Sequence, residues 1–153
     1  MAEWNSVGDQ TVNPGESIVF TLNPVPCTKG LVNQLSGTGA FNLKGSVKYY
    51  RDLCRCQQPK AAQYFTNFSA NIGIPEGGTE QTQISVAFAL DGVTIPGTTM
   101  QAPGTVGVLY SVSAATNIPV LKSCCQTLTV RNISSVPITV NNPNIVFFRR
   151  DLV

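Results

Sequence analysis

From residue 60 onward, apolar and polar positions alternate with a period of two. The clearest run, QISVAFAL, places Ile84, Val86, Phe88 and Leu90 on one face and Ser85, Ala87 and Ala89 on the other, the spacing of a strand whose side chains point alternately up and down. Its second face is small rather than charged, so it is expected to meet protein instead of water. In YFTNFSANIGI, Phe68, Ala70, Ile72 and Ile74 oppose Asn67, Ser69 and Asn71 in the same way. VGVLYSV groups Val106, Val108, Tyr110 and Val112, and QTLTVRN offers Leu128 and Val130. NIVFFRR sets Ile145 and Phe147 against Val146 and Phe148, apolar on both faces. That is the pattern of a strand deep in a sandwich or at a subunit interface.

Turn signals fence these runs. Asp91-Gly92 is a dipeptide suited to a type I′ hairpin, where both central residues need φ > 0. Asn13-Pro-Gly-Glu16 reads as a turn before the strand ESIVFTL. Asn141-Asn142-Pro143 interrupts the last apolar stretch and predicts a bulge, bend or strand change, because proline cannot donate to a ladder. A short strand is expected in GTGAFNLKG. In SVKYYRDLCRC, a helix through Val47, Tyr50, Leu53 and Cys54 competes with a strand ending near Tyr50 and a loop through Pro59. Turns every eight to twelve residues or so predict an all-β sandwich or barrel. The chain divides into an N-terminal arm at 1–14, with Trp4 its expected anchor, and one β-sandwich domain at 15–153.

The length of 153 residues suits one domain. Only 12% of residues are charged, about half the usual share, so the surface is mostly neutral and is expected to associate with copies of itself or with another protein. The net charge of +2 implies no nucleic-acid partner. The first residues lack a basic region followed by an apolar run, and no stretch is long and apolar enough for a helical membrane span. Neither export nor a membrane partner is expected.

The chain contains no histidine, which removes Ser-His-Asp and Cys-His nucleophilic arrangements and His-bearing zinc sites. No phosphate loop, dinucleotide fingerprint or nucleophile elbow is present. An enzymatic role is therefore not expected, and no cofactor. Five cysteines stand at Cys27, Cys54, Cys56, Cys124 and Cys125. On an extended segment Cys54 and Cys56 share a face about 6.6 Å apart, near the limit for a direct disulfide, while Cys124 and Cys125 face opposite ways. Buried reduced thiols are the favoured reading, with disulfides and a zinc site from four of the five as alternatives. The spacing within each pair argues against the metal.

Between 44 and 60 lies a basic insertion, in which Lys44, Lys48, Tyr49, Tyr50, Arg51, Arg55 and Lys60 surround the acid Asp52. It can be a solvated loop or an interaction loop that grips phosphate or an acidic protein surface. Asn67-Phe-Ser and Asn132-Ile-Ser match glycosylation acceptors, which without a secretory route are read as chance.

In order, GTGAFNLKG, FSANIGIPEGG, ISVAFALDGVTIPGTTM, APGTV and PVLKSCCQTLTVRNISSVPITVNNPNIVFFRR resemble small proteins encoded among phage and prophage structural genes of Gram-positive gut bacteria. The likeness spans roughly residues 15–150 and departs most in SVKYYRDLCRCQQPKAAQYF. It implies a single-domain jelly roll of the tumour-necrosis-factor type that assembles as a homotrimer. It also implies a virion protein, assembled in the bacterial cytoplasm, that contacts the phage major capsid protein as a capsid decoration protein or the globular head of a capsid fibre. A carbohydrate-binding or host-adhesion module, with a host-surface glycan as partner and Tyr49, Tyr50 and Tyr64 as its suggestive aromatics, is the alternative. A carboxylate hydrolase is the third reading, weakened by the missing histidine.

Overall fold

In the computed structural model, residues 1–47, 54, 60–122 and 125–150 are described. Twelve strands follow in chain order: β1 Ala2–Asn5, β2 Asp9–Val12, β3 Leu22–Val25, β4 Val32–Gln34, β5 Phe41–Lys44, β6 Ala61–Gly73, β7 Gln81–Leu90, β8 Val93–Thr94, β9 Met100–Gly104, β10 Leu109–Leu121, β11 Cys125–Asn132 and β12 Ile138–Arg150. They form two antiparallel sheets. The first runs β10-β6-β12-β1-β3, with β2 also on β12; the second runs β4-β5-β11-β7-β8, with β9 also on β7. From β5 to β7 and from β9 to β12 the chain crosses between sheets at nearly every step, which makes the all-β fold a jelly-roll sandwich.

The alternating residues meet between the sheets. Trp4 packs edge-on against Phe41 and Phe147 at centroid distances of 5.0 and 5.7 Å, and Phe20, Phe68 and Phe88 continue the aromatic line. Each ring is buried, and edge-to-face pairs at such distances add to the burial itself. Ala87 and Ala89, on the far face of β7, are also fully covered, so that strand meets protein on both sides as its small second face implies.

Residues 1–14, expected as an arm, supply β1 and β2, both hydrogen-bonded to β12 in the first sheet, and Trp4 is 3% exposed. The Asp91-Gly92 turn has φ of 49° and 83°, both in the left-handed region. At Asn13–Glu16, Glu16 N–H donates to the Asn13 carbonyl at 3.0 Å and Gly15 takes φ 78°, a type II turn. Asn141-Asn142-Pro143 is a bulge inside one long strand: the β12–β6 register shifts between Asn141 and Asn144, with Asn142 at φ 46°.

Two expectations need correcting. ESIVFTL is an extended segment rather than a laddered strand, with one isolated bridge from Ser17 to Arg131. The Gln10 side chain takes the place of a neighbouring strand there: its Nε2 donates to the Val19 carbonyl and its Oε1 accepts from Val19 N–H, each at 2.9 Å. Val108 does not stand in the strand with the buried Val112: it closes a turn before β10, its N–H donating to the Thr105 carbonyl at 3.4 Å with Gly107 at φ 73°, and is 41% exposed. The helix-or-strand question in SVKYYRDLCRC falls largely on 48–53, outside the described residues.

Candidate functional site

The basic insertion leaves and rejoins the sandwich at one end. Lys44 closes β5 opposite Cys125 of β11 and is exposed. Lys60, also exposed, precedes β6, and its carbonyl accepts from Lys122 N–H at 3.2 Å. Lys48, Tyr49, Tyr50, Arg51 and Arg55 lie outside the described residues.

Register brings four further cations to this end that the sequence reading did not single out. Arg149 and Arg150 pair with Tyr64 and Gln63 at the start of β6. Lys122 follows β10, whose last residues pair with Ala61 and Ala62. Lys29 lies on the loop between β3 and β4. They come from three segments far apart in sequence, so each reads as an isolated charge until the strands are aligned. A signal was present in that Lys122, Arg149 and Arg150 all stand at the ends of apolar alternation.

At this end the sandwich opens into a cavity of about 490 Å³, with Cys27, Lys29, Val32, Tyr64, Phe147 and Arg149 among its lining. Tyr64 is fully buried, its hydroxyl 2.6 Å from the Lys44 carbonyl and 3.2 Å from the Leu31 carbonyl. The Arg149 guanidinium lies 5.6 Å from the centre of the Tyr64 ring, a cation–π contact. Apolar walls and two cations can receive a group that is part apolar and part anionic.

Cys27 stands on the rim, half-buried and without a disulfide. Burial pushes its thiol up, but the backbone N–H groups of Val32, Leu31, Lys29 and Gly30 together outweigh that and hold it below the ordinary thiol range. The Gly30 N–H donates to the Cys27 carbonyl at 3.1 Å, which closes the turn at 27–30. Cys54 and Cys125 are exposed, so the buried-thiol reading does not hold for them, while Cys56 and Cys124 lie outside the described residues. Among the described residues no three of the metal-ligating kind stand together.

Tyr64 needs correction as an exposed aromatic. A ring with no accessible surface cannot serve as a sugar platform, and its burial follows from falling in phase with Phe68 and Ile72 on the inner face of β6.

No protein-family model matches the chain, and no curated protein matches its sequence. Solved structures do share its fold. The globular domain of zebrafish complement 1qA protein superposes with a TM-score of 0.57 at 10% identity, over 95% of this chain and 94% of that one. The Eiger TNF of S. frugiperda gives a TM-score of 0.54 at 12% identity, over 96% and 90%. The likeness covers nearly the whole of each chain and establishes the TNF-like jelly-roll fold.

Proposed function

We propose that this chain is a non-enzymatic virion structural protein of a phage or prophage, a capsid decoration protein or the head of a capsid fibre, acting as a homotrimer. The observation that carries the assembly is the outer face of the first sheet. Across β10, β6 and β12 its outward side chains are Asn, Ser, Ala, Gln, Thr and a few large apolar residues, and the one charge is Arg150 at the end. In its midst Phe148 is 42% exposed and its ring lies 6.4 Å from that of Phe65 on the neighbouring strand. Half-buried Val146 pairs with Asn67, which pairs in turn with Ala115. Glu3 of β1 and Asp9 of β2 border this part of the face, beside Asn144 and Asn141, and a nearly uncharged face with an aromatic pair is what an isologous or cyclic contact buries. The phage assignment is supported by the segment-by-segment resemblance and by a fold without a catalytic set, since function is not carried by the fold.

Light scattering of the purified chain should give three times its mass. Glutamate at Phe65 and Phe148 together should yield a folded monomer, because two charges would have to be desolvated on association. Co-sedimentation with assembled capsids then tests the virion role, and a native chain that stays monomeric ends the trimer reading. The glycan-binding alternative keeps only Tyr49 and Tyr50 of its aromatics, and a glycan array tests it.

A further inference from the structure

Most of the described charges are sorted by end. Lys29, Lys44, Lys60, Lys122, Arg149 and Arg150 all lie where β6 begins, as their strand partners, hydrogen bonds and cavity lining place them. Among the described cations only Arg131 lies elsewhere, opposite Ala87. Of the six described acids, four lie toward the other end, while Glu3 stands opposite Val146 midway along the first sheet and Asp91, whose N–H donates to the Thr127 carbonyl, lies near the basic end. Glu76 follows β6 beyond Gly73, and Glu80 precedes Gln81, which pairs with Gly104. Asp9 pairs with Asn141, which lies opposite Asn71, and the Glu16 carbonyl accepts from Asn132 N–H at the far end of β11. β6 has 13 residues, so the two ends stand ~40 Å apart. Within a net charge of +2, the described charges therefore form a dipole along β6. Such a molecule is oriented by a charged surface much more than it is attracted from afar.

We propose that the basic end is a docking surface for an acidic polypeptide segment, whose carboxylates meet the ring of cations while an apolar side chain enters the cavity. Five of the six cations are exposed and Arg149 is half-buried, so the ring is open to a partner while the cavity within it keeps apolar walls. That combination favours a peptide over a nucleic acid. A phosphodiester backbone has no apolar group to place in the cavity, and among the described residues this end offers bases no exposed aromatic ring except Phe148 on the sheet face. This surface meets the outer face of the first sheet only at Arg150. Peptide docking can fail while that face still assembles the protein, and the reverse.

The test uses the full chain and a blocked decapeptide of glutamates with two leucines. Trp4, the single tryptophan, packs on Phe147 of the cavity wall, so its emission reports occupancy and calorimetry reports binding. Binding is expected, with a change in Trp4 emission and a loss of affinity as salt rises. The K29E/K122E variant should bind about tenfold more weakly or worse. A peptide with serine for leucine should bind more weakly and leave Trp4 emission unchanged. The E76Q/E80Q variant, at the far end, should bind like the native chain. The inference is overturned if K29E/K122E keeps native affinity, if oligothymidylate of equal charge binds as tightly, or if the serine peptide matches the leucine one. Circular dichroism of each variant separates lost binding from lost fold.

Discussion

Asn132 shows how one polar side chain can hold a sandwich corner. It is fully buried, and its Nδ2 donates to the Val12 carbonyl at 3.0 Å and to the Val136 carbonyl at 2.9 Å, while its Oδ1 accepts from Ser134 N–H at 2.8 Å. One amide thereby joins β2 to the β11–β12 loop, although Val12 and Asn132 belong to different sheets. The burial also means that the Asn-Ile-Ser acceptor pattern at this site cannot be glycosylated in the folded chain, whereas Asn67 is exposed on the outer face of β6. Replacing Asn132 by alanine leaves two carbonyls and one N–H without that partner. Since each buried group left unsatisfied costs about 1–3 kcal/mol, and the corner can admit some water, the variant should lose about 3 kcal/mol in urea unfolding. A loss below about 0.5 kcal/mol, the range of an ordinary surface change, would show that the bridge is dispensable.

At the scale of elements, the edge beside β2 rests on a side chain that imitates a strand. Gln10 supplies both the donor and the acceptor that Val19 would find in a ladder, and Gly39 lets the same segment approach closely, since a Cβ there would stand 1.9 Å from the Ile18 carbonyl oxygen. Gln10→Leu keeps the size and removes both hydrogen bonds. It should cost about 1–3 kcal/mol and speed hydrogen exchange at Val19 while β6 and β12 stay protected; unchanged exchange at Val19 would count against the substitute-strand role. The same element marks the limit of what a sequence shows. Strands with strict alternation, β6, β7 and β11, were legible because burial of one face imposes period two. The turns at Asp91-Gly92 and Asn13–Glu16 were legible because few residues tolerate φ > 0. The break at Val19 was not, since ESIVFTL alternates like any strand and only the third dimension brings Gln10 beside it. The same holds for the site. Lys44 and Lys60 stand out within a local run of charge, but Lys29, Lys122 and Arg149 join them through register alone. The cavity has no sequence signature, because no two of the segments forming it are adjacent.

Over the whole molecule, the two surfaces proposed for association differ in kind and answer oppositely to salt. The outer face across β10, β6 and β12 is nearly uncharged and attracts through burial of apolar area, which salt strengthens when the ions are excluded from the surface. The basic and acidic ends attract one another head to tail, which salt screens. Near the isoelectric point of about 8.3, repulsion from net charge vanishes and both attractions are laid bare. At about 10 mM ionic strength the Debye length, near 30 Å, is comparable with the ~40 Å between the ends, so the dipole acts at full reach; at about 150 mM it falls to about 8 Å and the ends no longer sense each other. Assembly through the sheet face does not cancel this effect. In any cyclic trimer the components of the three dipoles along the axis point the same way, so the assembly retains whatever part lies along the axis. Static light scattering at pH 8.3 should therefore show net attraction between assembled particles that weakens from 10 to 150 mM sodium chloride and returns in concentrated sulfate. Attraction that grows steadily with sodium chloride from the lowest concentration would mean that the sheet face is still uncovered and dominates, and that the charge separation is too weak to orient the molecule.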